Sequence, residues 1–250
     1  MDEDISIKTG LPVFNPVSRH VVLFNNYDCF PEYSQATTYL RGNDRIYELE
    51  AILRGNFGDG PAELQEFLSA ALPAVYGYAL FWHQEQRQGI TYNSASRILP
   101  PAGMRKQLEM ALEGISAESS QDTLTFLYIT SHGNEGCFQI DNTQTMDYKE
   151  LLDRLDRIKG KKVIVALACY SGSLIDAWKK RETSEDYIII TSTGNWEPGI
   201  NWNEGILHNL LVKYLRDKNA LSTLKIPAVI FPGTPDEQHP QIVSSFDVVL

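Results

Sequence analysis

With 250 residues, 43% of them apolar, the chain carries enough hydrophobic side chains for one generous α/β domain, which excludes a disordered or fibrous protein. Its 32 acidic residues against 22 basic ones leave a formal charge of −10, a surface that repels phosphate backbones and favours basic substrates. Three cysteines, Cys29, Cys137 and Cys169, are too few and too odd in number for a disulfide framework, so a reducing compartment is expected.

The start, Met1-Asp2-Glu3-Asp4-Ile5, lacks the positive and apolar regions of a secretory signal, and the apolar runs fall well short of the ~18 residues of a membrane span. A cytoplasmic location without membrane contact is expected. The one basic cluster, Lys159-Gly160-Lys161-Lys162, reads as a loop entering a strand, so no nucleic-acid partner is expected either.

In chain order, short continuous apolar runs occur at 21–24, 74–81, 124–129, 163–167, 188–190 and 228–231. Continuous rather than alternating hydrophobicity predicts strands buried on both faces. Between them lie helix-periodic stretches. Met104, Leu108, Ala111, Leu112 and Ile115 form one apolar stripe, and Tyr148, Leu151, Leu152, Leu155 and Ile158 a second. Ile206, Leu207, Leu210, Leu211, Tyr214 and Leu215 form a third. Asp147 followed by Glu150 predicts a capping box at the start of the second. The segment 89–101 reads as an excursion or small hairpin. The pattern predicts an α/β fold: a six-stranded, mostly parallel sheet with helices on both faces, a three-layer sandwich. One domain is expected over 1–250, with a core at about 19–231 and a tail or edge strand at 232–250.

Ligands of open parallel sheets collect beyond the carboxyl ends of the strands. The strand at 124–130 runs into Ser131-His132-Gly133, and the one at 163–168 into Cys169-Tyr170-Ser171-Gly172-Ser173. A single helix joins these strands, so a right-handed crossover makes them parallel neighbours and brings His132 and Cys169 to one edge. A cysteine beside a histidine is a nucleophile with its base. A helix starting near Gly172 would favour the thiolate, and Gly133 and Gly172 would let backbone N–H groups approach a carbonyl, an arrangement suited to acyl transfer. Buried Cys169 in an ordinary core, or a zinc site of His132, Cys137 and Cys169, are the competing readings; no tight metal-ligand spacing supports the second.

Thr130-Ser131-His132-Gly133 followed by Ala168-Cys169-Tyr170-Ser171-Gly172-Ser173 resembles the caspase-like cysteine peptidases: caspases, metacaspases with their bacterial relatives, and legumain-type enzymes. Leu40-Arg41-Gly42-Asn43-Asp44 with Leu49 and Leu53 is similar to a shortened metacaspase segment. Ile190-Thr191-Ser192-Thr193-Gly194-Asn195-Trp196 is similar to the substrate-lining strand of caspases. The resemblance is nearest to bacterial metacaspase-like or legumain-like members. It implies an endopeptidase acting through an acyl-enzyme, with His132 and Cys169 as the dyad and the N–H groups of Gly133 and Cys169 as the oxyanion hole. Ser192, Thr193 and Gly194 would pair with substrate backbone.

Leu167 stands where metacaspases carry an acid and caspases a glutamine. Pocket acids are therefore sought among Asp28, Asp44, Glu197 and Glu204, giving a P1 preference for Arg or Lys, with Trp196 walling a neighbouring subsite. Arg41 and Arg45 would instead suit Asp or Asn. A peptide ligase or transamidase of the same fold, or a non-catalytic caspase-like scaffold, are the alternatives. No cofactor or metal is expected; calcium dependence would follow from metacaspase likeness, without a motif. Partners are protein or peptide substrates and a regulatory protein. The run Lys179-Lys180-Arg181 reads as a solvated helix end, with self-cleavage after Lys180 or Arg181 as the other meaning.

Overall fold

The computed structural model describes residues 10–25, 49, 52–53, 77–85, 96–99, 104–140, 143–181, 186–199, 201–226, 229–230 and 237–250. Seven strands make the main sheet: β1 (Ser18–Asn25), β2 (Gly77–Glu85), β3 (Ser96–Leu99), β4 (Thr123–Thr130), β8 (Lys161–Leu167), β9 (Tyr187–Thr191) and β12 (Gln241–Ser244). Their order is β12-β9-β8-β4-β1-β2-β3. The four central strands β9, β8, β4 and β1 are parallel, while β12, β2 and β3 pair antiparallel at the two sides. A three-stranded sheet of β5 (Gly133–Asn134), β6 (Cys137–Gln139) and β7 (Thr145–Asp147) grows from the end of β4.

The central strands are buried on both sides because each contributes alternate residues to two cores. Val21, Leu23, Phe126, Tyr128, Val163, Val165, Ile188 and Ile190 face one core, shared with helix α4 (Asn201–Arg216) through Leu207, Leu211 and Leu215. Val22, Phe24, Leu127, Ile129, Ile164, Ala166 and Ile189 face the other, shared with α1 (Met104–Glu118), α2 (Tyr148–Leu155) and α3 (Ser173–Lys179). The period-2 pleat of a strand between two helical layers is the three-layer sandwich expected from the apolar runs. Leu49 and Leu53, beyond the first strand, are buried in the first core.

The sheet differs from the expected six strands in its edges. The run at 228–231 contributes only β10 (Val229–Ile230), which pairs with β11 (Glu237–Gln238) in a separate ribbon. The place beside β9 goes to β12, whose Ile242 and Val243 pack toward opposite cores and so serve both layers. At the other side the segment around 89–101 returns as β3 against β2, an antiparallel hairpin. The capping box at Asp147 is also absent. Its side chain makes no cap bond, the Tyr148 N–H donates to Gly136 O (2.8 Å), and Glu150 instead joins Arg105 (2.5 Å) and Arg154 (3.2 Å) between α1 and α2. Tertiary partners have outcompeted the local motif. Arg181 is likewise tied to Asp153 and Asp156 of the α2 region, so the basic run closes α3 with its last member bound rather than solvated. Among the described residues no helix is long and apolar enough to cross a membrane.

Candidate active site

The register of β4 and β8 decides where the loops after them meet. Thr130 is paired with Leu167, and the ladder runs one step further as the Ser131 N–H donates to Leu167 O (3.0 Å). Two residues beyond the last pair on each strand stand His132 and Cys169. Parallel neighbours lie ~4.8 Å apart, so these residues share the carboxyl rim of the sheet. The loops touch directly. A Cβ at Gly133 would lie 2.4 Å from Cys169 O and 3.1 Å from the Ala168 Cβ, so only glycine fits this approach.

The histidine side of the rim is held by its main chain. Ser131 Oγ lies 2.6 Å from His132 O and 2.7 Å from Gln139 O, and the Gln139 N–H donates to His132 O (2.8 Å). His132 and Gln139 thus form a hydrogen-bonded rung of the β5–β6 hairpin. Gly133, opposite Phe138, falls on the alternate rung, where an antiparallel ladder turns N–H groups outward.

The cysteine side is held by buried hydroxyls. The Ser171 N–H donates to Thr193 Oγ1 (2.9 Å), the Thr193 N–H to Ser171 Oγ (3.2 Å), and the Ala168 N–H to Ser192 Oγ (3.2 Å). Tyr170 has φ +57°, a left-handed conformation costing about 1 kcal/mol, and its N–H donates to Glu197 O (2.9 Å). Gly172 sits against the 194–195 peptide: a Cβ there would lie 2.6 Å from Asn195 N. Ser173 Oγ donates to Tyr170 O (2.6 Å) and accepts from the Gly136 N–H (2.9 Å), joining the turn to the hairpin. The Cys169 thiol is partly exposed and donates to Gly199 O (Sγ···O 3.7 Å).

A catalytic cysteine requires a partly exposed thiol beside a histidine, and this rim carries both residue types, with Cys169 only partly buried. The Peptidase C13 family matches residues 102–199, the stretch from α1 through both loops to Gly199. The fold matches the crystal structure of caspase-1 from Spodoptera frugiperda, with a TM-score of 0.57 and 14% identity over 96% of this chain and 94% of that one. The fold is caspase-like, and its central stretch matches a peptidase family. No curated protein matches its sequence.

Several expected site residues change role. The N–H groups of Ser192, Thr193 and Gly194 are all taken internally, by Ala166 O (3.0 Å), Ser171 Oγ (3.2 Å) and Glu197 Oε1 (2.6 Å). They build the loop packed on the Cys169 turn rather than donate to a substrate strand, and β12 covers the edge of β9 beside them. Glu197 is not an open pocket acid: its carboxylate, 11% exposed, is bound to Gly194 and His239. The N–H groups of Tyr170 and Ser171, at the expected anion-stabilising helix start, are likewise occupied; α3 begins at Ser173. Trp196 is 62% exposed and lies over Gly194, open to a ligand. Asp28, Asp44, Arg41, Arg45 and Cys29 lie outside the described residues, and so does the side chain of Glu204.

Two buried groups come from outside the motif. Tyr148 is fully buried, stacked on Phe138 (5.9 Å), with no hydrogen-bond partner for its hydroxyl among the described residues. Burial holds its phenol well above the ordinary range, and the charges of Cys137 and Cys169 act in the same direction. Burial also pushes the Cys137 thiol up, against a hydrogen bond to the Asn134 backbone and with Asp147 adding to the effect. Among the described residues no three His, Cys, Asp or Glu side chains converge on a metal position, which leaves His132, Cys137 and Cys169 without the geometry of a zinc site. His208 is bonded to the Tyr128 hydroxyl (3.0 Å) inside the core shared with α4.

Two stability measurements check this packing. Gly133→Ala should overpack the loop contact and lower Tm by several degrees, about 1–3 kcal/mol, whereas Gly114→Ala, with nothing within 4 Å on α1, should raise it slightly. An unchanged Tm for Gly133→Ala would show that the loops do not touch. Tyr148→Phe keeps the ring stack and removes an unpaired buried hydroxyl, so its Tm should stay level or rise by roughly 2–4 °C.

Proposed function

We propose that the chain is an endopeptidase in which Cys169 and His132 form the working dyad of a single domain spanning 1–250. The observation that supports this reading is the continuation of the Thr130–Leu167 rung to His132 and Cys169, with Gly133 resting on the Cys169 carbonyl. In the cycle, Cys169 gives its thiol proton to His132 and its Sγ attacks the scissile carbonyl carbon of a bound protein or peptide. The resulting oxyanion accepts the N–H groups of Gly133 and Cys169, the two amides at the loop contact. His132 protonates the departing amine as the C–N bond breaks, leaving a thioester on Cys169. Water then attacks the thioester with His132 taking its proton, the C–S bond breaks, Sγ recovers that proton and the acid product leaves.

For P1 we propose Arg or Lys. The acidic balance of the chain favours basic substrates, and with Glu197 committed elsewhere the candidate pocket acids are Asp28, Asp44 and Glu204. Trp196 walls the neighbouring subsite. A working thiol fits a reducing cytoplasmic compartment, and neither Cys137 nor Cys169 is in a disulfide.

Cys169→Ala should lower kcat/KM on a peptide library by at least three orders of magnitude with little change in Tm, and iodoacetamide should inactivate the wild type in step with Cys169 alkylation. Wild-type-like cleavage by that variant overturns the mechanism. A P1-varied library should show Arg or Lys preference that weakens in Asp28→Asn or Asp44→Asn; Asp or Asn at P1 would transfer the pocket to Arg41 and Arg45. Mass analysis of products separates hydrolysis from transfer to an added amine.

A further inference from the structure

Residues 194–199 lie between the nucleophile turn and the C-terminal segment, and one residue, through its side chain and its main-chain carbonyl, holds all three together. Glu197 Oε1 accepts the N–H groups of Gly194 (2.6 Å) and His239 (2.6 Å), and Oε2 lies 3.0 Å from His239 Nδ1. The main-chain carbonyl of the same residue accepts the N–H of Tyr170, the left-handed residue directly after Cys169. A second tie lies alongside, where Gln238 Nε2 donates to Pro198 O. Next in sequence is Gly199, whose carbonyl accepts the Cys169 thiol. Two residues past His239, Gln241 pairs with Thr191, so the clamp is anchored by the edge strand β12. A buried carboxylate with three polar contacts is not built to meet a substrate side chain; it is built to fix backbone.

We propose that Glu197 and His239 are positioning residues for the nucleophile: together they set the height of the Gly199 carbonyl and the conformation of the turn after Cys169. The C-terminal segment 237–240 is thereby part of the active site although it contains no reacting group. This inference rests on Cys169 being the nucleophile. Its physical basis is that small displacements at a reacting centre carry large kinetic penalties, of the order of a hundredfold for 1 Å. Charged hydrogen bonds in a water-poor site hold such geometry better than exposed ones.

The test is steady-state kinetics on the full chain with a cleavable peptide, for His239→Ala, His239→Asn, Glu197→Ala and Glu197→Gln, with Tm measured for each. His239→Ala removes a half-exposed ring while its backbone N–H stays with Glu197, so it folds even where Glu197→Ala does not. Expected is a fall in kcat of roughly tenfold or more for His239→Ala and Glu197→Ala, with KM within about threefold. His239→Asn, which restores a polar group near the Nδ1 position, and Glu197→Gln, which keeps the acceptor for both N–H groups, should recover most of kcat. Wild-type kcat in His239→Ala overturns the proposal. So does a rise in KM with altered P1 preference in Glu197→Gln, which would return Glu197 to the specificity pocket. A wild type whose cleavage survives Cys169→Ala removes the peptidase mechanism and this proposal with it. Cleavage that depends on Cys169 but ignores His239→Ala removes this proposal alone.

Discussion

The parallel pairing of β4 with β8 is the constraint from which the rest of the site follows. A parallel ladder advances both strands at the same rate, so once Thr130 is opposite Leu167, the next residues of each chain leave the sheet at the same height. The Ser131 N–H to Leu167 O bond carries that register past the last formal pair. A slip of one residue would turn each strand's core set to the other face, exchanging Phe126 and Tyr128 with Leu127 and Ile129. The two cores therefore guard the register, and the register delivers an imidazole and a thiol to neighbouring positions. Stability of the interior and placement of the chemistry are one requirement here.

Beyond the ladder the chain has no regular structure to hold the Cys169 turn, and buried hydroxyls take over. Ser171, Ser192 and Thr193 are fully buried, and each is bonded to backbone of the opposing loop. Hydroxyls suit this task because each donates and accepts while occupying little volume, so two loops can be joined without separating them. The same closeness explains Gly133 and Gly172, where any Cβ would strike backbone. It also accounts for Tyr170, a bulky residue kept at positive φ by the Glu197 carbonyl. Strain of this kind persists only where surrounding bonds over-determine the conformation, and it lies directly beside the thiol.

The edges of the sheet show a different economy. A parallel centre needs helices on both faces, whereas its two sides are completed by antiparallel strands, β3 at one end and β12 at the other. The C-terminal strand does more than finish the sheet. Its approach carries Gln238 and His239 against the 194–199 loop, so the last part of the chain braces a site assembled by the middle of it.

The sequence by itself determined the layers and the pairing of the two motifs. Uninterrupted apolar strands can be stable only between two helical layers, and a lone crossover helix between the strands ending at Thr130 and Ala168 makes them adjacent and parallel. Those are local and topological rules, readable from residue types and spacing. What tertiary structure decided was the employment of individual polar groups. Ser192, Thr193 and Glu197 look like substrate contacts from their place after a strand, yet a partner 42 residues away, His239, claims the carboxylate, and the turn around Cys169 claims the hydroxyls. The Asp147 cap was lost in the same way, to Gly136 and the α1–α2 ion pairs. A hydrogen-bonding group has no preference written in its own neighbourhood for which distant partner it will meet. Burial enforces that it meet one, and the folded chain chooses which.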